Sequence, residues 1–418
     1  MEKSIIIKNI TLDDKVTDIL IKGDKIEKIS ERIDVIADKV IDGKNKTIIP
    51  GFVNMHTHAA MTLMRGIGED MLLMDWLYKK IWPTEKKLND EMVYWGTKLA
   101  CLEMLKTGTT CFNDQYWSLS HAVKAASEMG LRSVQPFVIL DLFDKERWSK
   151  IKEDCQKAYE ESAGWNNINR FAIGLHSPYS VSEEMLVWGA EFAKTNGLLV
   201  HIHISETKGE NEDSIAKHGM TPSKYLDSLG VLGPNTIAAH CLWIDDEDME
   251  ILAKRDVKVV HNINSNLKIA SGYKFRYNEF RDAGVTVTLG TDGCASSNNL
   301  DMIETMKTTA LLQKGWRGDP TAMPLDELMN LTTRNGGIAL GLNIGVIKEG
   351  ALADLTIIDT DSYAFTPNIS FYANLIYSAN SSCVDTVICN GEVLMEKRFV
   401  HGEHEIIENV NRLYKKLL

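Results

Sequence analysis

Two His-x-His pairs, His56-Thr57-His58 and His201-Ile202-His203, are the first feature of this sequence that points to chemistry. Alternate residues of an extended chain share a face, so each pair sets two imidazoles side by side. Imidazoles so placed bind a divalent ion, and open coordination positions then remain for water. With 11 histidines in the chain, roughly 0.3 such pairs arise by chance. Two pairs, both closing apolar β-branched runs, point to a metal centre. His203 stands nearer the strand end and is the candidate ligand, while His201 lies one layer deeper and supports the ligands. Glu206, three residues further on, is placed to move a proton to a substrate on the metal. Asp292 sits in Gly290-Thr291-Asp292-Gly293 after another apolar run. Its carboxylate is suited both to ligating the ion and to accepting a proton from water. His240 and His261 end two further runs. His240 reads as part of the same site, and His261 as either a site residue or the anchor of the loop HNINSNLKIASG.

Residues so far apart in sequence meet only if a regular framework brings strand ends together. Eight strand-like runs fall at 47–58, 108–114, 132–140, 170–176, 198–204, 235–240, 257–263 and 286–292. Between them lie helical patterns such as LNDEMVYWGTKLACLEMLKTG and SLSHAVKAASEMG, each stopped by a glycine. This rhythm predicts an α/β fold, a (β/α)8 TIM-like barrel over residues 50–349, with its site at the C-terminal strand ends. The competing doubly wound sheet lacks its usual signature, since no G-x-G-x-x-G follows any strand. The two ends of the chain read differently. SIIIKNITL, DILIKGDKIEKIS, KVIDGKNKTIIP, ALADLTIIDT and DTVICNGEVLMEKRFV are short strands around the turns Gly23-Asp24, Asp42-Gly43 and Asn390-Gly391. They predict a small β-sandwich domain formed jointly by residues 1–49 and 350–418. HEIIENVNRLYKKLL closes the chain as an amphipathic helix.

Composition narrows the partners. Of 418 residues, 44% are hydrophobic and 25% charged, as a globular core requires. The balance of 46 basic against 58 acidic residues, a net charge of −12, argues against nucleic acid or an anionic membrane as partner. Seven scattered cysteines without a C-x-x-C pair argue against a disulfide framework or a cysteine zinc site. No uncharged apolar run reaches the ~18 residues of a membrane span. The first residues, MEKSIIIKNI, carry no apolar targeting segment. A cytoplasmic protein is expected, with a homo-oligomer an open option.

The segments GFVNMHTH (51–58), HIHISE (201–206), AHC (239–241), SNLKIASG (265–272) and GTDGCASSNNLDM (290–302) resemble the amidohydrolase superfamily. Within it they are similar to the deaminases of 5′-methylthioadenosine and S-adenosylhomocysteine. The resemblance continues through MDWLYKKIWPTE (74–85), CLEMLKTGTTCFND (101–114) and GLHSPYSVS (174–182), nearly the whole chain. It implies one divalent metal, usually Zn2+ and sometimes Fe2+ or Mn2+, held by His56, His58, His203 and Asp292. It implies that Glu206 protonates the purine ring, that Asp292 takes a proton from water, and that His240 holds the attacking oxygen. Glu85 and His176 correspond to contacts with the ribose and 5′ side. Trp82 would border the adenine or the 5′ substituent, or simply pack at the barrel mouth. The implied reaction converts an adenosine derivative (5′-methylthioadenosine, S-adenosylhomocysteine, adenosine or 5′-deoxyadenosine) to the inosine derivative and ammonia.

Two features refine this expectation. Binuclear relatives bridge their metals with a modified lysine at the end of strand four, where this chain has His176, which favours a single metal. Gln135-Pro136-Phe137 stands where the resemblance leads us to expect an arginine-containing segment. Arg147, in the charged run DKERWSK, reads either as a substitute for that arginine or, as its charged context favours, as a solvated helix face. The alternatives are a related amidohydrolase acting on guanine, a triazine or a cytosine-like ring, or an inactive binding barrel.

Overall fold

The computed structural model describes residues 3–417. The chain opens with β1 (Ser4–Leu12), β2 (Lys15–Lys22), β3 (Lys25–Ser30), β4 (Lys39–Asp42) and β5 (Lys46–Pro50). It then enters eight parallel strands in sequential order: β6 (Phe52–Thr57), β7 (Thr109–Asp114), β8 (Arg132–Ile139), β9 (Asn169–Leu175), β10 (Val200–Ile204), β11 (Thr236–His240), β12 (Lys258–His261) and β13 (Val287–Leu289). Strands buried on both faces need apolar residues throughout, which is why these runs are nearly continuous rather than alternating. One face, with Phe112, Ile173, Leu175, Ile202, Val259 and Leu289, packs on helix residues such as Cys101, Leu105, Met185 and Leu186. A separate cluster of Val53, Met55, Cys111, Val134, Ala172, Ile237 and Val260 is closed by Leu340 and Ile344.

The seam between β13 and β6 shuts the barrel just where the chemistry is expected. Asp292 N–H donates to the His56 carbonyl at 3.0 Å. The Asn54 amide donates to the Thr291 hydroxyl at 2.7 Å and accepts from the Thr291 N–H at 3.1 Å. Gly290 lies so close to this seam that a Cβ there would stand 2.8 Å from the His56 nitrogen. The expected barrel is therefore present, with every strand within a few residues of its predicted run.

One run divides. The stretch 47–58, expected as a single strand, is two: β5 belongs to another sheet and β6 to the barrel. Gly51 makes the crossing because Thr110 occupies the space a side chain would fill. The other sheet is completed by the far end of the chain, β14 (Leu355–Asp359), β15 (Val384–Cys389), β16 (Glu392–Glu396) and β17 (Phe399–Val400). Its order is β17-β16-β15-β14-β5-β1-β2-β3, with β4 alongside β1. The antiparallel pair β14–β5, from Leu355 opposite Pro50 to Asp359 opposite Lys46, stitches the two termini together. Ile7, Ile10, Ile19, Ile21, Ile48, Leu355 and Ile388 form its apolar layer. The helix Glu403–Leu413 leaves this sheet and packs its Val410 and Leu413 into a cluster with Met61, Trp76 and Leu77 beside the barrel mouth.

Among the described residues no helix is long and apolar enough to cross a membrane.

Candidate active site

At the C-terminal ends of the barrel strands, His56, His58, His203, His240 and Asp292 converge. The His56 Nε2 stands 3.6 Å and the His58 Nε2 3.3 Å from Asp292 Oδ1. Donor atoms of His56, His203 and His240 lie within 4.8 Å of one another, as do those of His56, His58 and Asp292. Short polar contacts behind the rings turn these atoms toward a common point. His58 Nδ1 donates to the Gln115 carbonyl at 2.6 Å, and His203 Nδ1 to the His176 carbonyl at 2.6 Å. His201 Nδ1 lies 3.1 Å from the Asn113 amide nitrogen and 3.2 Å from the Asp114 carbonyl, and its Nε2 pairs with His56 Nδ1 at 2.9 Å. With the Nδ1 protons of His58 and His203 committed to carbonyls, their Nε2 atoms present lone pairs toward the centre where Asp292 lies. Lone pairs facing an anion repel unless a cation lies between them. His56 Nε2 is also buried without any hydrogen-bond partner. The donor set, three imidazoles and one carboxylate, thus fits a divalent metal. His201 makes the supporting contact expected of it.

Burial keeps the His56 and His203 rings neutral, the form a metal requires. It pushes His56 down to about 4 and His203 well below the usual range. Protons therefore compete for these two ligands only in acid. Metal content after equilibrium dialysis should hold from neutral pH to about pH 5 and fall as pH approaches 4. Loss of metal already near pH 6.5, where an exposed histidine titrates, would contradict this burial.

Burial drives Asp292 upward, but the rings of His56, His58 and His240 outweigh it and hold the carboxyl well below its ordinary value. It also accepts from the Ser265 hydroxyl at 2.7 Å and the Gly293 N–H at 2.7 Å. Glu206 behaves oppositely, since burial raises it and favours the protonated acid. His240 Nε2 lies between them, 3.8 Å from Glu206 Oε2 and 3.9 Å from Asp292 Oδ2. Burial lowers its proton affinity, but these two carboxylates outweigh that and raise it. His240 and Asp292 hold left-handed backbone angles, φ +71° and +61°. Such strain costs of order 1–3 kcal/mol per non-glycine residue and clusters where side chains are aimed for function.

Above this group opens a cavity of about 470 Å³. Glu85, His176 and Trp82 all line it, as the sequence motifs imply. The Glu85 carboxyl accepts from the Tyr116 hydroxyl at 3.0 Å, and His176 Nδ1 pairs with the Ser180 hydroxyl at 2.7 Å. Arg147 is exposed, as expected of a solvated face, and it also borders the cavity, with its guanidinium reaching the Asp141 carbonyl at 3.4 Å. The segment Gln135-Pro136-Phe137 brings no cation to the cavity, and the wall there is made by Val138 and Leu140. His261 stays apart, stacked on Phe275 with ring centroids 4.0 Å apart and neither nitrogen bonded.

Sequence reasoning passed over Glu210. Its buried carboxylate accepts the N–H of Ser205 at 2.9 Å and of Glu206 at 2.7 Å, so it fixes the backbone that carries Glu206. The T-x-x-E pattern Thr207-Lys208-Gly209-Glu210, a helix-capping signature, was the available signal. Thr207 caps that helix, but the glutamate reaches beyond the cap residue to the two before it.

The amidohydrolase family model matches residues 47–394. The chain belongs to the amidohydrolase family. It is 45% identical over 392 residues to the 5′-deoxyadenosine deaminase of Methanothermobacter thermautotrophicus, spanning 93% of this chain and 91% of that protein. It is 44% identical over 400 residues to 5-methylthioadenosine/S-adenosylhomocysteine deaminase 1 of Archaeoglobus fulgidus, spanning 95% and 94%. Among solved structures, an adenosine deaminase from Xanthomonas campestris with bound zinc superposes with a TM-score of 0.93 at 29% identity, covering 100% of this chain and 98% of that one.

Proposed function

We propose that this amidohydrolase is a metal-dependent hydrolytic deaminase of adenosine derivatives, releasing ammonia and the corresponding inosine derivative. The observation that carries the reading is geometric: Glu206 and Asp292 stand on either side of His240, 3.8 and 3.9 Å from its Nε2, where the imidazoles of His56, His58 and His203 converge. Both border the cavity that Glu85 and His176 also line. Replacing the amino group on C6 of a purine by oxygen requires one group that takes a proton and another that gives one. The relatives named above support the same chemistry.

His56, His58, His203 and Asp292 would hold a divalent metal, which would lower the pKa of water toward about 7 and so supply a nucleophile at neutral pH. Asp292 takes a proton from the attacking water. Glu206 delivers its proton to the ring nitrogen beside C6, and His240 holds the incoming oxygen through Nε2. Glu85 accepts from ribose hydroxyls, and His176 faces the sugar from the other wall. Zinc is the ion we assign, by analogy with the zinc-bound adenosine deaminase, with Fe2+ and Mn2+ to be compared in the same assay. We take residues 50–349 as the catalytic unit, with 1–49 and 350–418 as its support. All seven cysteines are buried free thiols, which suits a reducing compartment, the cytoplasm.

The wall formed by Val138, Leu140 and Leu142 is apolar. It favours substrates whose 5′ substituent is a methyl or methylthio group over one carrying a charged amino-acid tail. Ammonia release should therefore be faster, at low concentration, from 5′-deoxyadenosine and 5′-methylthioadenosine than from S-adenosylhomocysteine. Guanine and cytosine serve as controls for the alternative rings, with metal analysis on the same sample. No turnover of any adenine nucleoside by metal-replete protein would sink the assignment.

A further inference from the structure

Beyond β8 the chain runs out along the cavity, and Val138, Leu140 and Leu142 line it at a spacing of two. That is the spacing at which extended residues share a face. Between them, Ile139 and Asp141 are fully buried. Asp141 anchors the segment: its carboxylate accepts from the Ser182 N–H at 2.9 Å, from the Ser182 hydroxyl, and from the Trp148 indole at 2.7 Å. The chain then reverses sharply. Asp144 N–H bonds to the Asp141 carbonyl at 3.0 Å, and the two residues between, Leu142 and Phe143, have φ of +52° and +61°. Two consecutive positive φ angles closed by this hydrogen bond make a turn whose preferred residues are Asn and Gly. Here it is built from two bulky apolar residues, each of which resists the left-handed region.

Both are also exposed, Leu142 to 51% and Phe143 to 46%. Burial in the core therefore does not explain their choice, although the Lys217 ammonium stands 4.2 Å from the Phe143 ring centroid. Leu142 borders the main cavity, while Phe143 borders a smaller one with Pro178, Tyr179 and Lys217. Tyr179 borders both cavities and stands between the two side chains' environments. Strain of this kind persists where function selects the side chain against the backbone's preference.

We propose that the Leu142–Phe143 turn is a specificity element, held in a strained conformation so that Leu142 completes the apolar wall against the 5′ substituent of the nucleoside. The proposal rests on the deaminase reading above and deepens it. Leu142 prefers a methyl or methylthio group and disfavours a 5′-hydroxyl, which would lose its water there without gaining a partner.

The test uses two variants of the metal-loaded full chain. Leu142→Asn/Phe143→Gly installs the residues the turn prefers and removes the apolar contact. The ratio of kcat/KM for 5′-methylthioadenosine to that for adenosine should fall about tenfold, the discrimination expected for loss of a small apolar contact. Phe143→Gly alone keeps Leu142 and should leave that ratio unchanged while raising the melting temperature by about 2 °C, as relief of backbone strain does. A ratio within twofold of the parent in the double variant would overturn the proposal. So would a melting temperature that is unchanged or lower in Phe143→Gly, a result independent of activity. Absence of ammonia release from every nucleoside by the parent protein would instead count against the deaminase assignment.

Discussion

Glu206→Gln is expected to lower turnover by about 10³-fold while the protein keeps its full complement of metal. The amide matches the carboxyl in size and still forms hydrogen bonds, but it has no acidic proton to deliver to the ring. Glu206 is not one of the metal-facing donors around His56, so its replacement leaves those ligands in place. His203→Ala should lose both metal and activity, because the ring that converges on His56 and His240 is removed. Metal analysis and an ammonia assay on the two purified variants separate the roles. Equal metal loss in both would contradict the assignment of Glu206 to proton transfer. The pH profile gives a second reading. If Glu206 is the protonated acid of the proposed reaction, kcat should decline as pH rises through its raised pKa. Glu210 belongs to the same reading, since it fixes the Ser205–Glu206 backbone without bordering the main cavity.

Asp354→Ala is expected to destabilise the fold by about 3–5 kcal/mol, the cost of leaving one charge of a buried pair uncompensated. Arg132, at the start of β8, forms two bonds to the Asp354 carboxylate, of 2.7 and 3.0 Å. The two side chains are only 4% and 1% exposed. Asp354 also accepts the Asn390 N–H at 2.8 Å, and its carbonyl accepts the Gly51 N–H at 3.0 Å. One residue thus ties the barrel to both halves of the terminal sheet. Chemical denaturation should show the loss, while KM stays near the parent value because Arg132 begins its strand, at the end opposite the site. Arg132→Met/Asp354→Leu should recover part of the stability, since paired apolar replacement leaves no orphaned charge. A single Asp354→Ala variant as stable as the parent would show that the clamp does not hold the two sheets together.

Much of the architecture was legible because it is local. The apolar runs of β7 through β13 and the glycine-stopped helices carry their periodicity in consecutive residues, and His-x-His declares its shared face within three. The Asn390-Gly391 turn is equally local, joining β15 to β16. Where local signals ran together the reading blurred. TIIPGFVNMHTH is one unbroken pattern, and only the partner strands, β14 for one half and β7 for the other, divide it at Gly51. Arg147 is exposed, as its charged helical neighbours imply, and only the tertiary fold shows that this exposed position is also on the cavity rim.

Residue types and order were enough to specify the barrel and the family, and to nominate the donor set that the fold brings together, since these depend on patterns written along single strands. Tertiary structure alone decided which nitrogen of each ring faces the centre, because that depends on carbonyls such as Gln115 and His176 contributed by other strands. It likewise decided the opposed proton affinities of Glu206 and Asp292. Two carboxyls of similar intrinsic acidity diverge because one is buried with too little positive charge to offset its desolvation and the other is surrounded by imidazoles.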